Sequence, residues 1–175
     1  MSDEIDTLRF EQAVLPHVHA AYNLARWLMR DLHDAEDVVQ QSLLRACRSF
    51  DSFRGGDAQS WLLAIVRNCC YSTLRQQRRH VEATETLDAQ TAVADHHPGP
   101  QAALLRSVDR DELAGAIENL PAPFREVFVL REVENLSYAQ IGQIVDVPVG
   151  TVMSRLARAR QRLRESLGNR IAEEA

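Results

Sequence analysis

The last quarter of the chain concentrates side chains suited to gripping a polyanion. Thr151, Ser154, Arg155, Arg158 and Arg162 recur at three- and four-residue intervals, which places them on one helix face, with Arg160 and Arg164 beside them. A guanidinium holds phosphate as a charged fork, and the same fork pairs with O6 and N7 of guanine. Just upstream, Ser137-Tyr-Ala-Gln140 has the form of a capping box, with Ser137 as N-cap and Gln140 at N3. The box opens a short helix, Tyr138 to Val145; Asp146-Val147-Pro148 then separates it from a second helix running from about Val149 to Leu167. Gly142 stands where two helices can cross closely, and Ile141, Val145, Val147 and Val152 supply a compact shared core. This is the pattern of a helix-turn-helix whose second helix enters the DNA major groove, although plain helical hairpins share it.

Other reactive residue types are scattered. Cys47, Cys69 and Cys70 form no C-x-x-C pair, and all three fall in apolar helical patterns, so they are expected as buried structural thiols. His17, His19, His33, His80, His96 and His97 make no H-E-x-x-H or zinc-ligand spacing. No acid–base, nucleophile or metal-ligand set is gathered in sequence, so no catalytic residue, metal or cofactor is expected.

These groups must be carried by a chain of 175 residues with formal charge −5, whose 20 basic side chains are all arginine. The order of the charges is more informative than their total. Residues 1–44 hold 3 Arg against 8 acids, 45–80 hold 7 against 2, 81–139 hold 4 against 11, and 140–175 hold 6 against 4. Two basic segments alternate with two acidic ones, so the acidic total is compatible with a nucleic-acid partner; the same blocks also describe solvated helix faces. With 45% hydrophobic residues the chain can bury a core. No apolar run approaches the ~20 residues that span a bilayer, and the acidic start Met1-Ser-Asp-Glu4 is unlike a signal peptide. A soluble, cytoplasmic protein is expected.

The periodicity predicts an all-α fold. Residues 6–30 read as helix with Pro16 as a kink. Asp34 is the expected N-cap of a helix running through Val38, Val39, Leu43, Leu44 and Cys47 to about Phe50. Gly55-Gly56 marks a loop, and a third helix is expected from about Gln59 to Gln77, with Trp61 and Tyr71 read as core rather than as stacking platforms. Residues 81–103, polar and ending in His-His-Pro-Gly-Pro before Gln101, read as a flexible linker between a domain at 1–80 and a second at 104–175. In the second, Leu104, Leu105, Val108, Leu113 and Ile117 mark a helix stopped by Leu120-Pro121, and Pro123 suits the N1 position of the next.

Taken in order, these motifs resemble the extracytoplasmic-function (ECF) sigma factors of the sigma-70 family. Asp34-Ala-Glu-Asp-Val-Val-Gln-Gln41, Phe53-Arg-Gly-Gly56 and Trp61-Leu-Leu-Ala-Ile-Val-Arg-Asn68 are similar to family region 2. Leu120-Pro-Ala-Pro-Phe-Arg125, Leu136-Ser-Tyr-Ala-Gln-Ile-Gly142 and Pro148-Val-Gly-Thr-Val-Met-Ser-Arg-Leu156 are similar to region 4. The resemblance implies a region 2 helical bundle and a region 4 helix-turn-helix, with core RNA polymerase (β′ clamp and β subunits), promoter DNA and an anti-sigma factor as partners, and no enzymatic activity. It places polymerase contacts on Asp34, Asp37, Gln40 and Gln41. It places capture of the melted −10 strand on Phe53 and Asn68, with Arg67, Arg75, Arg78 and Arg79 on phosphates, and −35 recognition on Thr151, Ser154, Arg155, Arg158 and Arg162. Gln41 stands where many relatives carry glutamate, and Met153 where many carry arginine. A stand-alone helix-turn-helix regulator is the alternative reading, but residues 10–80 look like neither a ligand pocket nor a dimerisation domain.

Overall fold

The computed structural model describes residues 2–85 and 106–173, with side chains described over 7–82 and 110–168. Among the described residues the secondary structure is entirely helical: α1 (Ser2–Val14), a 3-10 turn (Leu15–His17), α2 (Val18–Met29), α3 (Leu32–Ser49), a second 3-10 turn (Phe50–Ser52), α4 (Ala58–Glu85), α5 (Arg106–Glu118), α6 (Ala122–Glu132), α7 (Tyr138–Val145) and α8 (Val149–Glu173). Pro16 lies in the first 3-10 turn. Lacking an N–H and fixing φ, it separates α1 from α2 as a break rather than a bend within one helix.

Helices α2, α3 and α4 pack as a three-helix bundle. On α3 the buried row is Ala35, Val38, Val39, Ser42 and Ala46, and the Ser42 hydroxyl donates back to the Val38 carbonyl at 2.6 Å. Asp31, not Asp34, caps this helix: its carboxylate accepts from the Asp34 N–H at 2.9 Å, which puts Asp34 at N3. The register also corrects the expected burial of one thiol. Cys47 is exposed and Leu44 is 59% exposed, because both lie on the flank away from Ala35, Ser42 and Ala46. Cys69 and Cys70 are buried as expected, and burial beside Cys69 pushes the Cys70 thiol up to about 12.

The 28-residue α4 runs to Glu85, so 81–85 of the expected linker are helical; the remainder, 86–103, lies outside the described residues, as do Leu104 and Leu105. Pro121 caps α6, leaving Pro123 at N2 rather than N1. The Ser137–Gln140 capping box is present with both of its hydrogen bonds. Asp146 closes α7 in the left-handed conformation, φ 54°. Gly142 is where the turn presses on the helix: a Cβ there would lie 2.9 Å from the Val147 carbonyl oxygen. Val152, Leu156, Ala159 and Leu163 then form the buried stripe of α8.

The two halves pack against each other, α2 on α6 and α4 on α7. Leu24, Leu62 and Leu63 of the first half and Leu130, Ile141 and Leu156 of the second belong to one continuous buried cluster. Trp27 of α2 also packs on the second cluster, formed by Ala116, Ile117, Leu120, Val129, Ala159 and Leu163. Full burial of each such leucine contributes about 1.5–3 kcal/mol, so the packing between halves is part of the core.

Because the atom facing Gly142 is backbone, Gly142→Ala is expected to cost about 1–3 kcal/mol, read as a lowered urea midpoint. An unchanged midpoint would show that the turn yields freely.

Candidate nucleic-acid interface

The outward row of α3 carries Asp37, Gln40 and Gln41, all exposed, on the side opposite its buried stripe. Asp34 is half-buried and accepts from the Gln77 side chain of α4 at 2.9 Å, while Asp37 lies 3.9 Å from His33. Leu44 extends this row by one turn and gives the acidic and amide face an apolar end. Its spacing from Asp37 and Gln40 places it on their face.

A second surface is built around aromatic rings. Phe10, Phe50, Phe53 and Trp61 form a connected cluster; Phe53 and Trp61 lie 5.0 Å apart, tilted by 38°. The loop between the second 3-10 turn and α4 passes through Gly55 and Gly56, whose φ values of 85° and 104° suit only residues without a side chain. It leaves a shallow cavity of 340 Å³ lined by Phe53, Arg54, Asp57, Ser60, Trp61 and, from the other half, Gln143. Trp61 is half-buried and lines this cavity, so it serves packing and surface together. Asn68 is exposed further along α4 and is not part of that lining; Arg75, Arg78 and Arg79 follow it, also exposed.

Arg67 behaves differently. Its Nε donates to Glu126 Oε2 at 2.8 Å and a terminal nitrogen donates to Oε1 at 3.2 Å. The Tyr71 hydroxyl donates to the same Oε2 at 2.9 Å, and Arg155 of α8 donates to Oε1 at 3.4 Å. The Glu126 side chain is only 1% exposed. One buried carboxylate on α6 therefore gathers two cations and a phenol from two other helices, α4 and α8. Burial lowers the Arg67 pKa, but the hydrogen bond and charge of Glu126 outweigh it and hold the group above its ordinary value. Tyr71 is raised, first by burial and then by the Glu126 charge. Its guanidinium neighbour, Arg67, stacks 4.8 Å from its ring.

On α8, Ser154, Arg158 and Arg162 are exposed, Thr151 is half-buried, and Met153 is 52% exposed between them. Arg155 borders the buried stripe of Val152, Leu156 and Ala159, and so reaches inward to Glu126. In this arrangement Arg67 and Arg155 are engaged with Glu126, whereas Ser154, Arg158 and Arg162 are exposed, with the Arg162 guanidinium 5.4 Å from the Phe124 ring. Sequence reasoning missed Glu126, and the only local signal was an acid directly before the apolar run Val127 to Leu130.

Among the described residues no group of three or more His, Cys, Asp or Glu side chains is placed to hold a metal ion, and no helix is long and apolar enough to cross a membrane. Residues 13–80 match the family model for sigma-70 region 2, and residues 110–163 match the model for sigma-70, region 4. The ECF RNA polymerase sigma-E factor of Haemophilus influenzae is 37% identical over 82% of this chain and 79% of its own length.

The chain belongs to the ECF group of the sigma-70 family.

It is also 32% identical to the ECF RNA polymerase sigma factor SigE of Mycolicibacterium smegmatis, over 95% of this chain, and spans 64% of that longer protein. Among solved structures it is similar to the sigma factor RpoE of Bartonella quintana, co-crystallised with the anti-sigma factor NepR: TM-score 0.74, 32% identity, covering 91% of this chain and 97% of that one. In family terms, α2, α3 and most of α4 fall in the region 2 match, and α7 with most of α8 in the region 4 match. Glu126 of the region 4 side thus binds Arg67 and Tyr71 of region 2.

Removing Glu126 would leave two arginines without their counter-charge. Glu126→Ala is expected to cost about 3 kcal/mol in urea unfolding, the low end for a broken buried pair because both arginines keep a solvated edge. The folded chain holds the Tyr71 proton above the ordinary value of 10.0 while the unfolded chain releases it near there. Stability from this group is therefore present below pH 10.0 and lost as pH rises beyond it. Tyr71→Phe is expected to remove that loss; an identical fall in the urea midpoint of the variant would contradict the placement of the phenol.

Proposed function

We propose that this chain directs core RNA polymerase to promoters, using separate surfaces on its two halves for polymerase, the melted −10 strand and the −35 duplex. The observation that carries the reading is the outward row Ser154, Arg158 and Arg162 on the second helix of a capped helix-turn-helix, in one chain with the aromatic cavity at Phe53 and Trp61. A hydroxyl and two guanidinium forks suit base edges and phosphates in a major groove. Thr151 borders this row, and Arg155 joins it on release from Glu126.

In this reading Asp34, Asp37, Gln40 and Gln41 form the contact for a basic surface of polymerase, with Leu44 adding apolar area. Phe53 walls the site for an unstacked base and Asn68 offers an amide to a base edge, while Arg67, Arg75, Arg78 and Arg79 hold phosphates. Residues 1–80 act as the region 2 domain and 104–175 as the region 4 domain, joined through 81–103, whose first part continues α4. The halves must separate before Arg67 can reach DNA, whereas Arg155 must leave Glu126 within its own half. An anti-sigma factor, the partner of the Bartonella relative, would favour the bound-up state. The protein works in the cytoplasm beside polymerase and contributes binding energy to opening, with no catalytic step or cofactor of its own. A stand-alone regulator gains no support, since a repressor has no use for an α3 docking row or a strand cavity.

Reconstitution with core polymerase tests this. Asn68→Ala is expected to weaken permanganate-detected promoter opening while leaving core binding intact; normal opening would remove Asn68 from the strand site. Ser154→Ala with Arg158→Ala is expected to relax discrimination among −35 variants, by about 1–3 kcal/mol for each lost specific contact. Tight duplex binding by the chain without core would favour the regulator instead.

A further inference from the structure

One buried cation takes no part in the proposed function. Arg125, near the start of α6, is 4% exposed, and its Nε has no hydrogen-bond partner among the described residues. One of its terminal nitrogens donates to the carbonyl oxygen of Glu118, the last residue of α5, at 2.5 Å. A terminal nitrogen of Arg30, the C-cap of α2, donates to the same oxygen at 2.8 Å. Guanidiniums from opposite halves therefore converge on one neutral oxygen, and Arg26, also exposed, lies one turn before Arg30 on the same face of α2. A single cationic donor is enough to cap the last carbonyl of a helix; a second one brings like charges together. The charges around Arg125 do not balance. Burial lowers its pKa and the Arg30 charge lowers it further, while the charges of Tyr71, Glu118 and Glu126 act the other way without restoring it. Among the described residues no carboxylate hydrogen-bonds to Arg30 or Arg125, and Glu126 is already taken by Arg67, Tyr71 and Arg155. A buried guanidinium in this position calls for an anion or water to replace its lost hydration.

We propose that Arg30 and Arg125 form, across the seam between the halves, a binding site for a phosphate-type oxyanion, either free or carried on a small phosphate ester. Each guanidinium has five N–H groups and gives one to the carbonyl, so donors remain on both forks for a tetrahedral anion to bridge. Arg30 is exposed and forms the solvent side of the site; Arg125 forms its floor. Because the two forks belong to α2 and α6, the site is complete only while the halves are packed, and the anion stabilises that packed form by linkage. The exposed carboxylate of Glu118 works against an anion here and limits its affinity. The site does not depend on the promoter reading, but its consequence does: in that reading the bound anion keeps Arg67 on Glu126 and away from DNA.

Thermal unfolding of the full chain in inorganic phosphate, and separately in ADP, is compared with unfolding in chloride at matched ionic strength; the two ligands distinguish a free anion from an ester. The wild-type Tm is expected to rise by about 2–4 °C with ligand held about fivefold above its Kd, the shift that such linkage gives a chain of this size. Arg30→Gln, a change at an exposed position, is expected to lose the rise. Glu118→Gln keeps the carbonyl and removes the opposing charge, so it is expected to bind several-fold more tightly than wild type. Exclusion of phosphate from protein surfaces acts alike on all three proteins. Equal shifts in wild type and Arg30→Gln therefore mark an adventitious ion only and overturn the site, as does the absence of any shift with both ligands. In a titration followed by the arginine Nε–H resonances, Arg30 and Arg125 are expected to move together; movement of Arg30 alone overturns the bridge between the halves. None of these outcomes bears on the promoter reading, which stands or falls on promoter opening by reconstituted holoenzyme.

Discussion

A single buried carboxylate, that of Glu126, organises this molecule. An anion removed from water carries a penalty of several kcal/mol unless charge and hydrogen bonds replace the lost hydration. Here the replacement comes from Arg67 and Tyr71 on α4 and from Arg155 on α8. Those partners reach Glu126 only if α4 and α8 both close on α6. The electrostatic demand of one residue is thereby converted into a requirement on how the two halves pack. The continuous apolar cluster running through Leu24, Leu62, Leu130, Ile141 and Leu156 supplies the bulk attraction, and the carboxylate network supplies its geometry.

The closure sorts the chain's charged surfaces. The α3 row of Asp37, Gln40 and Gln41 and the α8 row of Ser154, Arg158 and Arg162 stay in solvent. Arg67 is occupied from the opposite half and Arg155 from within its own, both by Glu126. The packed form therefore keeps surfaces available for a first encounter while it occupies groups that the proposed function assigns to DNA. The alternation of acidic and basic segments fits this division: the net charge of −5 says little, and the pairing of Arg67 on α4 with Glu126 of the second half says which cation is held between them.

Much of this was legible in the sequence wherever one local rule decided the outcome. The Ser137–Gln140 box, the inward Val38 and Val39 of α3 and the close approach at Gly142 each depend on short-range spacing, and each is present. Errors arose where two residues satisfied the same rule. Asp31 and Asp34 can both cap a helix, and only the path of the chain from Arg30, with φ 67°, selects Asp31. Cys47 sits at the edge of an apolar arc, where a small rotation changes core into surface. The end of α4 lacks an apolar face, so patterning stopped it at Gln77, but Arg, Gln, Glu and Ala are good helix formers and the helix continues to Glu85. Glu126 was invisible for a different reason: its partners lie 29 to 59 residues away, and no local spacing reports a contact made by tertiary packing. The candidate site was thus readable as a list of exposed groups, and unreadable as a set of mutually occupied ones.

The most direct test of the central claim is a distance measurement between spin labels on the two halves of the free chain. Cys47, an exposed native thiol on α3, takes one label and Ser166→Cys on α8 takes the other; the buried Cys69 and Cys70 stay unlabelled. If Glu126 holds the halves together, the otherwise native protein gives one narrow distance distribution, and Glu126→Gln adds a second, longer population. The same narrow distribution in both proteins would contradict the account.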